Sequence, residues 1–151
     1  MFLKTNSGSA YIHNFDSLDS EKEIVVFIPG AGMDHRVADL ISLNPKIFNK
    51  VLSIDLPGHG GSTPTGAKSI EDYANFISNC IKEIDISGIH LCGHSMGGLV
   101  AMELAASISG ILKSVTLINC PISSFCWSSS ARWFIKKSRW RSRFSYKVWN
   151  T

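Results

Sequence analysis

The sequence predicts an α/β domain with a doubly wound, mostly parallel sheet that carries helices on both faces. Short apolar, β-branched runs recur along the chain, loops rich in glycine and proline end them, and segments of helical periodicity separate them. With 151 residues, 44% hydrophobic and 18% charged, the chain suits one soluble domain with a core of its own.

Apolar runs that end at glycine and proline predict the first strands in the chain. Residues 24–28, IVVFI, form an apolar run that stops at Pro29-Gly30, as a strand buried on both faces would. Residues 51–55 repeat this plan before the loop PGHGGS. The chain ahead of them, residues 1–16, predicts an antiparallel hairpin with its turn at residues 6–9.

A helix and two further strands follow in alternation. Ser69 is a candidate N-cap with Asp72 three residues later, and apolar residues then recur at helical spacing up to Ile84. Residues 88–92 predict the third parallel strand, Met96–Ile108 a helix, and residues 114–119 a fourth strand.

The stretch Gly93-His94-Ser95-Met96-Gly97 matches the pattern G-x-S-x-G, between a predicted strand and a predicted helix. A nucleophilic serine on such a turn needs a strained backbone, so neighbouring segments must pass it without side chains. The helix that follows points free N–H groups at the reacting centre. The alternative is an ordinary N-cap serine in a glycine-rich helix start.

Three motifs in order make residues 1–121 resemble the α/β-hydrolase superfamily. FIPGAGMDH (27–35) resembles its oxyanion loop, IDLPGHGGS (54–62) the loop after its next strand, and LCGHSMGG (91–98) its nucleophile elbow. The resemblance implies the α/β-hydrolase fold, incomplete at its C-terminal end in this chain. It also implies an esterase-like serine hydrolase that attacks acyl esters or related carbonyl compounds.

The resemblance also assigns site residues. It implies that Ser95 is the nucleophile, Gly93 and Gly97 are the elbow glycines, and the backbone N–H groups of Ala31 and Met96 form the oxyanion hole. The family usually has His-Gly where this chain has Pro29-Gly30. Since that histidine is not the family's base, the change alters the loop without removing a proton acceptor.

The partners of the serine are absent from their usual place. The family's triad runs serine, acid, histidine along the chain, but residues 96–151 contain no aspartate and no histidine. Glu103 is the sole acid there, and we expect it to be a solvated helix residue. Among upstream histidines, His35 could line the pocket mouth, and His59 is expected to pack its loop.

His94 adjoins the serine, and we expect its ring to point away from the hydroxyl. His13 and His90 are interpreted as strand residues on or near the surface. Without a base the serine should lose most of its rate, because triad members act as a unit.

Residues 122–151 differ from the rest of the chain. They contain no acid and no glycine, and they are rich in tryptophan, serine, lysine and arginine. We interpret 1–121 as the N-terminal part of the hydrolase domain and 122–151 as a basic, aromatic tail. The tail could be non-native after a truncation or frameshift near residue 120, or disordered, or a genuine cap, or a membrane or nucleic-acid surface.

The remaining expectations concern compartment and partners. Four cysteines without CxxC pairing suggest reduced, buried thiols in a cytoplasmic protein, although a disulfide framework is possible. We expect a small acyl substrate, no cofactor, no metal, no nucleic-acid partner and no membrane span. Two hypotheses remain: a serine hydrolase impaired by its missing triad residues, and a non-catalytic member or fragment that binds a ligand or partner.

Overall fold

The structure is a computed structural model that describes residues 1–17, 23–41, 51–63, 65–84, 86–120 and 146–149. Seven strands in this part of the chain form one sheet in the spatial order β1-β2-β4-β3-β5-β6-β7. The strands are β1 (Phe2–Thr5), β2 (Gly8–His13), β3 (Ile24–Ile28), β4 (Val51–Ile54), β5 (Ile89–His94), β6 (Leu112–Ile118) and β7 (Tyr146–Trp149).

The sheet is mostly parallel, as predicted. Strands β4, β3, β5, β6 and β7 pair in parallel along its length. The hairpin of β1 and β2 adds an antiparallel edge through pairing of β2 with β4. The predicted hairpin is therefore confirmed. Strand β6 begins at Leu112, two residues earlier than expected, because Ile89 on β5 already pairs with it there.

Three α-helices occur in the described part of the chain: α1 (Arg36–Ile41), α2 (Ile70–Lys82) and α3 (Met96–Ser107). The sequence did not predict α1, whose six residues are too few to show a periodicity. Ser69 caps α2 as predicted: its hydroxyl accepts a hydrogen bond from the N–H of Asp72 at 3.1 Å.

The helices cover both faces of the sheet, which confirms the doubly wound arrangement. Side chains alternate between faces along β3. Ile24, Val26 and Ile28 belong to the larger core, which α2 and α3 share, whereas Val25 and Phe27 contact a smaller cluster that contains Ala38 of α1. Because both faces are covered, β3 is apolar at every position.

Cys80, Cys92 and Cys120 are buried and form no disulfide with one another, as expected, and Cys126 lies outside the described residues. The interpretation of 122–151 as a separate tail stays a prediction, because β7 is its sole described segment. No helix in the described ranges combines the length and apolar character needed to cross a bilayer.

Candidate active site

Ser95 occupies a sharp turn at the carboxyl edge of the sheet. It is the single residue between the last residue of β5, His94, and the first residue of α3, Met96. Its backbone has φ 52° and ψ −119°, in a region that non-glycine residues rarely adopt. The N–H of Ser95 donates to the carbonyl of Ile118 at 3.0 Å, so the end of β6 fixes this turn.

The glycines around Ser95 are required by close backbone approach. A methyl group at Gly93 would overlap the carbonyl oxygen of Gly97, and one at Gly97 would overlap the carbonyl oxygen of Ile28. A methyl group at Gly98 would lie 2.7 Å from the sulfur of Cys120. The motif's glycines therefore let α3 begin directly against the ends of β3 and β5.

The loop after β3 lies beside the serine. A methyl group at Gly30 would be 3.3 Å from Cβ of Ser95 and 3.2 Å from the carbonyl oxygen of His94. The next residue, Ala31, lies in a turn in which the N–H of Met33 donates to the carbonyl of Gly30 at 3.2 Å. We call residues 29–35 the oxyanion loop.

The backbone N–H groups of Ala31 and Met96 are among those in this region that have no acceptor among the residues that the structure describes. Met96 is the first residue of α3, where an N–H group has no partner within the helix. Helix N-termini also carry partial positive charge. The carboxyl edge of the sheet therefore combines an exposed loop, a strained serine and a helix N-terminus.

A buried carboxylate holds the far end of the oxyanion loop. Asp55, which follows β4, is 0% exposed. Its Oδ1 accepts the backbone N–H of His35 at 2.7 Å, and its Oδ2 accepts from His35 Nδ1 and from the N–H of Gly61, both at 2.9 Å. Sequence reasoning missed Asp55. The available signal was an acid directly after a mostly apolar strand, followed by glycine-rich sequence.

No histidine forms a hydrogen bond with the hydroxyl of Ser95 in the described part of the chain. His35 bonds Asp55, and His13 bonds Asp39 through Nε2 at 2.9 Å. His59 Nδ1 lies 3.0 Å from the carbonyl of Pro57, in agreement with its loop-packing interpretation. His94 keeps Nδ1 buried without a hydrogen-bond partner among these residues, against Gly30.

A second serine, Ser114, does contact a histidine, and this pair lies nearer the amino ends of β5 and β6. Ser114 Oγ lies 2.7 Å from His90 Nδ1, and His90 Nε2 lies 3.2 Å from a carboxylate oxygen of Glu23. Lys113 and His90 lower the pKa of Glu23, mainly through the hydrogen bond from His90. Ser114 sits in mid-strand, without the turn and helix N-terminus that surround Ser95, so we interpret the group as a cross-strand surface network.

Comparison with known proteins identifies the family. A sequence profile described as the alpha/beta hydrolase family matches residues 25–150, most of the chain. The chain belongs to the alpha/beta hydrolase family.

Two curated relatives illustrate the range of chemistry in this family. The chain is 30% identical over 117 residues to an (E)-2-((N-methylformamido)methylene)succinate hydrolase of Acinetobacter baylyi, covering 75% of this chain and 43% of the relative. It is 37% identical over 106 residues to the dihydrolipoyllysine-residue acetyltransferase component of an acetoin cleaving system of Cupriavidus necator, covering 64% and 26%. The chain thus spans less than half the length of these relatives.

Solved structures of alpha/beta hydrolases share the fold. An N-formylmaleamic acid deformylase of Pseudomonas putida superposes with a TM-score of 0.68 at 19% identity, covering 82% of this chain and 47% of the other. A thioesterase domain of the curacin biosynthetic pathway gives 0.66 at 21% identity, covering 89% and 50%. These likenesses establish the α/β-hydrolase fold.

Glu103 lies two turns along α3 from Ser95. We expected this side chain to be solvated, but the structure shows it partly buried.

In the ranges described here, no group of three or more His, Cys, Asp or Glu side chains could hold a metal ion. The expectation that this alpha/beta hydrolase needs no metal or cofactor stays a prediction.

Proposed function

We propose that this chain carries the nucleophile half of a serine hydrolase site, with Ser95 as nucleophile. The backbone N–H groups of Ala31 and Met96 would be the oxyanion donors. The observation that carries the proposal is the backbone of Ser95, at φ 52° and ψ −119° between β5 and α3. Such strain persists where surrounding structure imposes it, and here glycines at 93 and 97 permit it.

The proposed reaction is acyl transfer. Oγ of Ser95 attacks the carbonyl carbon of an ester or related acyl compound, and the carbonyl oxygen gains the negative charge. The N–H groups of Ala31 and Met96 stabilise this oxygen, and one such donor contributes about 3–4 kcal/mol in a serine protease. The relatives named above as hydrolase, deformylase and thioesterase act on carbonyl carbons, which supports this substrate class.

The proton of Ser95 has no acceptor in this chain of the kind that the family uses. Residues 96–151 contain no histidine and no aspartate. Four upstream histidines bond other groups, and His94 packs against Gly30 with its Nδ1 buried and without a hydrogen-bond partner in the described part of the chain. We therefore propose that Ser95 in the 151-residue chain is correctly placed but weakly nucleophilic. The absence of these two triad residues also favours a second candidate function. In it, the chain is a non-catalytic member of the family that retains the site for binding a ligand or partner.

A thiol at the same position separates placement from activation, because a cysteine ionises without a neighbouring base. In Ser95→Cys, we expect the N-terminus of α3 to lower the thiol pKa below its usual value of about 8.5. With p-nitrophenyl acetate, this variant should release one equivalent of p-nitrophenolate rapidly. Circular dichroism should show the same fold for every variant compared.

The matched control is Ser107→Cys, at the other end of α3, where the helix dipole disfavours a thiolate. The native thiols should contribute little, because burial raises the pKa of Cys80 to about 12 and of Cys92 to about 11. The wild-type chain gives the remaining background. Equal acylation rates for Ser95→Cys and Ser107→Cys would contradict the placement of the nucleophile.

The wild-type chain tests the missing base. We expect a fluorophosphonate probe to leave the folded wild-type chain unlabelled under conditions that fully label an intact serine hydrolase. Rapid labelling that is lost in Ser95→Ala would mean that a base reaches Ser95, and the impaired-triad proposal would be wrong.

A further inference from the structure

We infer that Asp55 is a positioning residue for the oxyanion hole: through His35 it holds the oxyanion loop in the conformation that places the N–H of Ala31 beside Ser95. The inference rests on the proposed function of Ser95. It adds a residue that lies outside the three roles of nucleophile, base and oxyanion donor.

The contacts of Asp55 join two loops. Its carboxylate accepts two hydrogen bonds from His35 of the oxyanion loop and one from Gly61 of the loop after β4. The second loop wraps the carboxylate closely, since a methyl group at Gly60 would overlap Oδ2. That loop also closes on Asp55 through Ser62, whose hydroxyl donates to the Asp55 carbonyl at 2.7 Å.

A carboxylate suits this position better than any neutral side chain. Both carboxylate oxygens of Asp55 accept hydrogen bonds, and all three groups that bond them are N–H donors. The residue is also fully buried. An amide would turn a donor toward one of these N–H groups and leave it unsatisfied in the interior. Buried hydrogen bonds to a charged group are among the stronger ones in proteins.

The two ends of the oxyanion loop are thereby fixed. Gly30 packs against Ser95 and His94 at one end. His35 is held at the other end by Asp55. Its ring also contacts that of Tyr11, with centroids 4.5 Å apart and the planes tilted by 48°. Ala31 itself is exposed and lies in the turn between these anchors. Its N–H direction therefore depends on anchors that do not include its own side chain.

The test uses two reactions of the Ser95→Cys chain that differ in their need for oxyanion donors. With p-nitrophenyl acetate, the thiolate sulfur bonds to the carbonyl carbon through a charged tetrahedral intermediate, and p-nitrophenolate leaves with the electrons of the broken C–O bond. With iodoacetamide, the sulfur displaces iodide at a saturated carbon, and no oxyanion forms. The ratio of the two rate constants reports the oxyanion hole.

We expect His35→Ala, added to Ser95→Cys, to lower this ratio about tenfold or more, since complete loss of one donor costs 10²–10³. His35→Asn should restore most of it, because the amide nitrogen of asparagine can replace Nδ1 as donor to Asp55. Asp55→Asn should lower the ratio as well. His35 is partly exposed, so its variants remain informative if Asp55→Asn does not fold.

An unchanged ratio in folded His35→Ala would overturn the positioning role, and so would a lowered ratio that His35→Asn leaves lowered. Equal acylation of Ser95→Cys and Ser107→Cys would instead refute the proposed function. The two failures are therefore distinguishable. A parallel fall in acylation and alkylation would mean a general disturbance of the fold, which also counts against the inference.

Discussion

Around Ser95, glycines let backbones come closer than any side chain would allow. The strained turn, the start of α3 and the end of β3 meet through main-chain atoms, with Gly97 against the carbonyl of Ile28. The site is therefore sensitive to one added methyl group at positions that carry no chemistry.

Gly97→Ala tests this sensitivity. The new methyl group would overlap the carbonyl oxygen of Ile28, so α3 must shift, and we expect a loss of about 1–3 kcal/mol in the free energy of unfolding. Urea denaturation followed by circular dichroism gives the value. Gly110→Ala is the matched control, because nothing lies within 4 Å of its added methyl group. Equal stabilities of the two variants would contradict the packing argument.

The titration of Asp34, in the oxyanion loop, should change the stability of the fold in a defined direction. The Arg36 guanidinium, mainly through its hydrogen bonds, lowers the pKa of this carboxyl from 3.8 to about 2. Since the folded pKa lies below the unfolded one, the pair stabilises the fold above about pH 4 and loses this effect as the pH falls toward 2. The effect is small, because Arg36 is 80% exposed.

Arg36→Leu should therefore raise the pKa of Asp34 toward 3.8. Carboxyl carbon shifts followed by NMR between pH 1.5 and 6, a range set by the ordinary aspartate value of about 3.9, measure it directly. Lys82→Leu, at the end of α2, is the control and should leave Asp34 unchanged. An unshifted Asp34 in Arg36→Leu would show that the guanidinium is not the cause.

At the scale of elements, α2 depends on a cap that the sequence already indicated. Ser69 accepts from the N–H of Asp72, and Glu71 and Asp72 add negative charge to the first turn. We expect Ser69→Ala to cost about 1 kcal/mol in the free energy of unfolding. Ser109→Ala, in the exposed turn after α3, should be close to neutral. A neutral Ser69→Ala would refute the capping contribution.

The elements that sequence reasoning found and missed differ in length and in the range of their contacts. The apolar runs of β3 and β5 and the apolar spacing of α2 are local signals, and each gave its element within a residue or two. Helix α1 is too short for a periodicity. The pairing of His35 with Asp55 joins residues twenty positions apart across neighbouring strands, so no local pattern encodes it.

In the candidate site, too, some features follow from local sequence and others depend on contacts between residues far apart in the chain. The position of Ser95 follows from a contiguous motif, and its strained backbone agrees with that prediction. The glycine pattern likewise pointed to Gly93 and Gly97. The contact of Gly30 with Ser95 depends on β3 lying beside β5, and the sequence supplies this through family resemblance, not through spacing.

At the scale of the molecule, the described residues form two cores of unequal size on the two faces of the sheet. Of the buried apolar residues among them, most belong to the face shared by α2 and α3, whereas α1 contributes to a small cluster. Leu104 of α3 is fully buried in the larger core, and Leu40 of α1 is 71% exposed.

We expect Leu104→Ala to lower the free energy of unfolding by about 2–5 kcal/mol. The same truncation in Leu40→Ala should change it by less than about 0.5 kcal/mol. Urea denaturation with a shared m-value compares the two. A small effect at Leu104 would mean that the larger core does not carry the stability of the domain.

The hydrogen bond from the N–H of Ser95 to the carbonyl of Ile118 has a consequence for the order of folding. The turn at Ser95 acquires its shape when β3, β5 and β6 lie side by side, because each contributes backbone to it. A chain that has formed its helices but not this part of the sheet has a serine on a relaxed segment. The alkylation rate of a thiol introduced at this position should thus change when the central strands pair. Alkylation measured at successive times during refolding would show when this pairing occurs.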